Sequence, residues 1–160
     1  MRVFKTLLKI LPEKVAYAHC DIPCGIYDPH MAQVAAHTVI RMTQLITDLK
    51  TDDQKKAAHD ISRMTHVKEE HAGIIEKELE TLRNDYFKEE HYKQYPNLND
   101  LFINTLKAAA KVRQNIDTEA AEETLKGVLE IAEIFYKTKG VTPVRIKSVY
   151  PTEREMVLYK

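Results

Sequence analysis

The chain has 160 residues, long enough for one domain with a proper core, and its 44% apolar and 30% charged content fits a soluble globular protein. Its 24 basic and 24 acidic residues cancel, so no global field draws in nucleic acid, and any steering of an anion has to be local. No apolar run reaches the roughly 18 to 20 residues needed to cross a bilayer.

Residues 1–18 read as a removable leader. Arg2 and Lys5 precede Leu7-Leu8, and Ala16-Tyr17-Ala18 would pass as a signal-peptidase site. Lys9 interrupts the apolar run, however, and leaves it well short of the ~7 to 15 residues of a secretory core segment. A cytoplasmic propeptide is therefore expected, with a short amphipathic helix over residues 3–10 ended by Pro12. Residues 19–27 should be irregular, because Pro23 fixes φ and Gly25 permits a tight turn.

Asp28-Pro29 opens the first helix as cap and first helical residue, and Met31, Val34, Ala35, Met42, Leu45, Ile46 and Leu49 carry its helical spacing to about Lys50. Thr51-Asp52-Asp53 breaks it and caps a second helix running to about Arg83. The apolar stripe of that helix includes Ile61, Met64, Val67, Ile74, Ile75, Leu79 and Leu82, with His71 in its middle. Asn84 to Tyr95 reads as an aromatic connecting segment. Asn97 caps the third helix, and Asp117-Thr118 caps the fourth, which ends at Lys137, Lys139 and Gly140. Four amphipathic helices with short links predict an all-α protein, an antiparallel four-helix bundle over residues 28–140. From Val141 the pattern alternates, so residues 141–160 should form an extended tail, a strand or an arm lying on a neighbour.

The chemistry concentrates in His19-Cys20-Asp21-Ile22-Pro23-Cys24-Gly25-Ile26-Tyr27, which holds both cysteines of the chain. Their spacing alone leaves metal ligation, a small strained disulfide and incidental cysteines open. The histidine in front favours metal. Cleavage after Ala18 would give His19 a free amine. That amine, the deprotonated amide nitrogen of Cys20 and the Cys20 thiolate close fused five-membered chelate rings, and Cys24 adds a second thiolate. The set is planar, with the His19 imidazole available above it. Planar nitrogen and sulfur ligation suits nickel(II) or copper(II), whereas zinc prefers a tetrahedron. No Glu-x-x-His pair recurs between helices, which argues against a di-iron bundle.

The motif His-Cys-Asp-x-Pro-Cys-Gly-x-Tyr directly after a leader resembles the nickel hook of the nickel superoxide dismutases. Asp85-Tyr86-Phe87-Lys88, His91-Tyr92 and Tyr95-Pro96-x-Leu98 are similar to a second block of that family. The resemblance runs from His19 to about Lys139. It implies an enzyme that disproportionates superoxide through a Ni(II)/Ni(III) cycle, one nickel per subunit, a dedicated processing protease and a homohexamer whose hooks reach into neighbouring subunits. It makes His19, Cys20 and Cys24 the metal ligands, sets Tyr27 and Tyr86 over the open face of the metal, and gives Asp21 a part in holding the hook. It also implies a glutamate and an arginine orienting the axial histidine. Ala35 and His71 stand at those positions here. His71 is then either the partner of His19 or a core histidine satisfied elsewhere, and Glu70 and His37 are weaker substitutes for the glutamate. Lys88 is a candidate for local positive charge; the histidines at 30, 59, 66 and 91 read as surface or interface residues. The alternative function is a nickel-binding or delivery protein that uses the same hook without turnover.

Overall fold

Three of the four long helices start beside an aspartate that accepts one or more of their first amides, whereas Asn97, expected to cap the third, makes no such side-chain bond. The computed structural model describes residues 24–160. Asp28 accepts the amide hydrogen of His30 at 2.7 Å, and α1 runs His30–Thr47, one residue later than the Asp28-Pro29 signature suggested. Asp53 accepts from Lys55 and Lys56, each at 3.0 Å, and starts α2, Gln54–Thr81. The helical path continues through Leu82–Tyr86 as a single wide turn closed by the Phe87 amide bonding to Leu82 oxygen at 2.9 Å, an i to i+5 bond of π-helical type. A short helix α3, Glu89–Gln94, follows inside the segment expected to be only a connection. Next come α4, Leu98–Gln114, and α5, Thr118–Thr138, the latter capped by Asp117 as expected, with the Ala120 amide at 2.9 Å.

The four long helices form the antiparallel bundle that the patterning implied. α1 packs on α2 and α5, and α4 packs on α2 and α5. The start of α1, the end of α2, the start of α4 and the end of α5 lie at one end of the bundle, joined by the Tyr27–Tyr86, Arg83–Asn99 and Tyr86–Thr138 contacts. The core runs through Val39 and Ile40, Ile75 and Leu79, Phe102 and Val112, and Val128, Ile131, Ala132 and Phe135. Two polar features set the spacing of the helices. Gly127 of α5 lies so close to α4 that a Cβ there would fall 2.0 Å from the Thr105 hydroxyl oxygen. Lys68 of α2, only 1% exposed, donates through its ammonium to the carbonyls of Val112, Arg113 and Asn115 and so caps the C-terminal end of α4.

The tail is extended, as its alternation suggested, but it pairs with itself and lies on its own bundle. β1, Pro143–Lys147, and β2, Glu155–Tyr159, form an antiparallel hairpin with Arg145 opposite Val157. Gln33 of α1, fully buried, holds Val157 at both backbone groups, at 2.7 and 3.1 Å, as a neighbouring strand would. His37 donates from Nε2 to the Glu155 carbonyl at 3.1 Å, which leaves Nδ1 to accept from the Thr152 hydroxyl at 2.6 Å. Burial holds the His37 pKa below its ordinary value. Arg154 grips Glu122 of α5 through two nitrogens.

Candidate metal centre

The described chain begins inside the cysteine cluster, at Cys24. Gly25 has φ 72°, a left-handed conformation that glycine adopts without strain, and nothing lies within 4 Å of where its Cβ would be. The requirement there is therefore for backbone conformation and not for space. The Ile26 amide donates to the Cys24 sulfur at 3.4 Å, an arrangement that stabilises a thiolate. Cys24 and Ile26 are exposed, and Tyr27 turns back to pack on the core, so it is the anchor of the segment. His19, Cys20, Asp21 and Pro23 lie outside the described residues, as does the leader.

Tyr27 meets Tyr86 with ring centroids 5.5 Å apart. Tyr86 in turn is fixed on several sides. Its hydroxyl lies 2.6 Å from the Thr138 hydroxyl oxygen. Thr138 spends its one proton on the Phe135 carbonyl at 2.7 Å, so Tyr86 is the donor in that pair. Tyr86 thus offers lone pairs to its surroundings while its own proton is committed. Its ring packs on Phe135 at 4.6 Å, stacks on His91 at 5.6 Å with only 10° between planes, and carries the Lys139 ammonium 4.7 Å from its centroid. The wide turn at Leu82–Tyr86 leads into extended Phe87 and sends Phe87 into the core, where it meets Phe102 and Tyr92. His91 accepts the Lys88 amide hydrogen at Nδ1, 3.0 Å away, and so closes the start of α3 beneath Tyr86.

The other expected site residues stand elsewhere. His71 lies about 22 Å along α2 from Tyr86 at 1.5 Å rise per residue, and its Nδ1 is within 2.9 Å of the Val67 carbonyl. Ala35 is buried in α1 at 2% exposure. His37 is engaged by the hairpin and Glu70 is exposed, so neither is positioned against Tyr27 or Tyr86. The Lys88 ammonium bonds to the Asp85 carbonyl at 2.7 Å. Sequence reasoning passed over His91, Thr138 and Lys139. In the sequence His91 reads as a surface or interface position, and Lys139 as one of the cations that favour a helix C-terminus.

The sequence matches the family model of nickel-containing superoxide dismutase over residues 14–139. The chain belongs to that family. Two curated nickel superoxide dismutases are similar to it: that of Streptomyces coelicolor, 34% identical over 128 residues, with 80% of this chain and 93% of that protein covered, and that of Streptomyces seoulensis, 33% identical over 132 residues with the same coverage. The solved native nickel superoxide dismutase superposes with TM-score 0.67 at 34% identity, covering 76% of this chain and 99% of that one. An apo nickel superoxide dismutase structure does so with TM-score 0.65 at 29% identity, covering 72% of this chain. The chain is accordingly a superoxide dismutase, an oxidoreductase, and its cofactor is nickel. The family match ends at Lys139, so the hairpin of residues 141–160 is an addition beyond it. Among the described residues no group of three histidines, cysteines or acids is close enough to hold a metal. An exposed cysteine held beside an anchored tyrosine, with an amide hydrogen on its sulfur, fits a thiolate nickel ligand.

Proposed function

We propose that a processing protease cuts before His19, and that the new amine, the Cys20 amide nitrogen, the Cys20 and Cys24 thiolates and the His19 imidazole would then hold one nickel. Nickel so bound supplies a one-electron couple between its +2 and +3 states, which is what turning superoxide into dioxygen and hydrogen peroxide requires. Strong donation from two thiolates and an anionic nitrogen favours the higher state. Asp21 helps hold the hook against the bundle. Tyr27 and Tyr86 narrow the approach to the metal. Protons for peroxide reach the site from ordered water, backbone amides or the Tyr27 hydroxyl, because the Tyr86 hydrogen is already given to Thr138.

The single observation that carries this reading is the Tyr27–Tyr86 pair at 5.5 Å, three residues beyond Cys24 at the end of the bundle. His71, far along α2 from that pair, takes part only if the hook of one subunit reaches the α2 of another, which accords with the homohexamer expected of the family. The enzyme works in the cytoplasm. The test is mass spectrometry and metal analysis of protein purified from its own cell. A mature chain beginning at His19, carrying stoichiometric nickel and consuming superoxide rapidly, is the expected result. Full activity with residues 1–18 still attached would sink it.

A second reading keeps nickel without turnover. It is favoured by Ala35, which has no group to orient an imidazole. Stoichiometric nickel with slow superoxide loss would select it.

A further inference from the structure

The surroundings of Tyr86 have a second meaning beside an oxidising metal. We propose that Thr138 and Lys139 act as positioning residues that keep Tyr86 from being oxidised by one electron. The inference rests on the reading that Tyr86 faces the nickel. Oxidation of a neutral tyrosine takes one electron from the ring to the oxidant and sends the phenolic proton to whatever base the hydroxyl touches. Here the hydroxyl touches the Thr138 oxygen at 2.6 Å, and that oxygen belongs to a hydroxyl whose own proton is bonded to the Phe135 carbonyl. A neutral threonine hydroxyl accepts a hydrogen bond but is too weak a base to take the proton. His91, which stacks on the ring, is not an alternative acceptor, because its Nδ1 is occupied by the Lys88 amide hydrogen and the Tyr86 hydroxyl points to Thr138.

The ring is guarded as well. The Lys139 ammonium stands 4.7 Å from its centroid, where it is attracted to the neutral ring and would repel the positive charge left by electron loss. Both devices act on one residue, and they act on the two halves of the same reaction, the proton and the electron. The neighbour at 5.5 Å makes the protection useful. Two tyrosyl radicals that close would couple through their ring carbons, and the resulting Tyr27–Tyr86 cross-link would lock the segment that carries Cys24.

The experiment uses the processed, nickel-free chain exposed to azide radical, which takes one electron and leaves as azide anion, followed by peptide mapping of oxidised Tyr86 and of the Tyr27–Tyr86 cross-link. Lys139→Met removes the cation, Thr138→Asp supplies a base, and Lys137→Met, an exposed lysine of the same helix end, is the control. Tyr86 oxidation should rise several-fold in Lys139→Met and Thr138→Asp and stay at the wild-type level in Lys137→Met. Equal yields in all four proteins would overturn the proposal. Lys139 is exposed, so its variant decides the matter even where Thr138→Asp fails to fold. Nickel-loaded Lys139→Met during superoxide turnover separates the two layers. Damage at Tyr86 there supports both. An intact Tyr86, with the azide result still positive, would overturn the facing of Tyr86 toward the metal and leave its protection standing.

Discussion

Lys68 and Cys24 show two opposite uses of a reactive side chain. Burial pushes the Lys68 ammonium pKa down, and three carbonyls at the end of α4 compensate by accepting its hydrogens. Lys68→Met keeps the stem and removes those bonds, so it should lower unfolding stability by about 2 kcal/mol, the usual penalty for leaving buried acceptors unpaired. Thermal or urea unfolding of the two proteins measures this. Cys24 is exposed and makes no contribution to the core. Cys24→Ser should therefore leave stability unchanged within about 0.5 kcal/mol, as for surface positions generally. Nickel retention and superoxide turnover should both disappear, which metal analysis and a superoxide assay check. A variant that kept wild-type turnover would end the assignment of Cys24 as a ligand.

At the scale of elements, the close approach of α4 and α5 depends on one missing side chain. In an ordinary helix, alanine in place of glycine gains roughly 1 kcal/mol. At Gly127 the added methyl would meet Thr105, so Gly127→Ala should instead destabilise by about 1 to 3 kcal/mol, the range for overpacking. Thr105→Ala in the same chain, which removes both the hydroxyl and the methyl that the new Cβ would strike, should recover part of that loss. The hairpin supplies a pH prediction. The folded pKa of His37 lies below the ordinary 6.5 of the unfolded chain. As pH falls below about 6.5, the unfolded state therefore takes up a proton that the folded state does not, and stability drops until the folded pKa is reached. The protection factor of the Val157 amide, bonded to Gln33, should fall between pH 7.5 and 5.5 once the intrinsic pH dependence of exchange is divided out. His37→Gln, which cannot titrate, should lose that part of the dependence.

For the molecule as a whole, the hairpin is an external clasp on α1 and α5. Truncation after Gly140 uncovers the apolar surface under Val157 and Met156 and leaves Gln33 without its two backbone partners. The truncated protein should melt several degrees lower yet bind nickel stoichiometrically, because the Tyr27–Tyr86–Thr138 cluster is made entirely by residues before the hairpin. Calorimetry together with metal analysis tests both halves. Loss of nickel on truncation would show that the hairpin supports the site.

The long helices were legible because their information is local: apolar residues at helical spacing, with Asp53 and Asp117 acting on amides two or three residues away. That the cofactor is nickel was legible for the same reason, since the proposed donors His19, Cys20 and Cys24 fall within one short stretch of the chain. What only the tertiary structure decided depends on partners distant in the chain. The hairpin docks on its own bundle because Gln33 finds Val157 and His37 finds Thr152, more than a hundred residues later. Tyr86 meets Thr138 and Lys139 only once α2 and α5 end side by side. No periodicity encodes such contacts, because they arise from where antiparallel helices happen to stop.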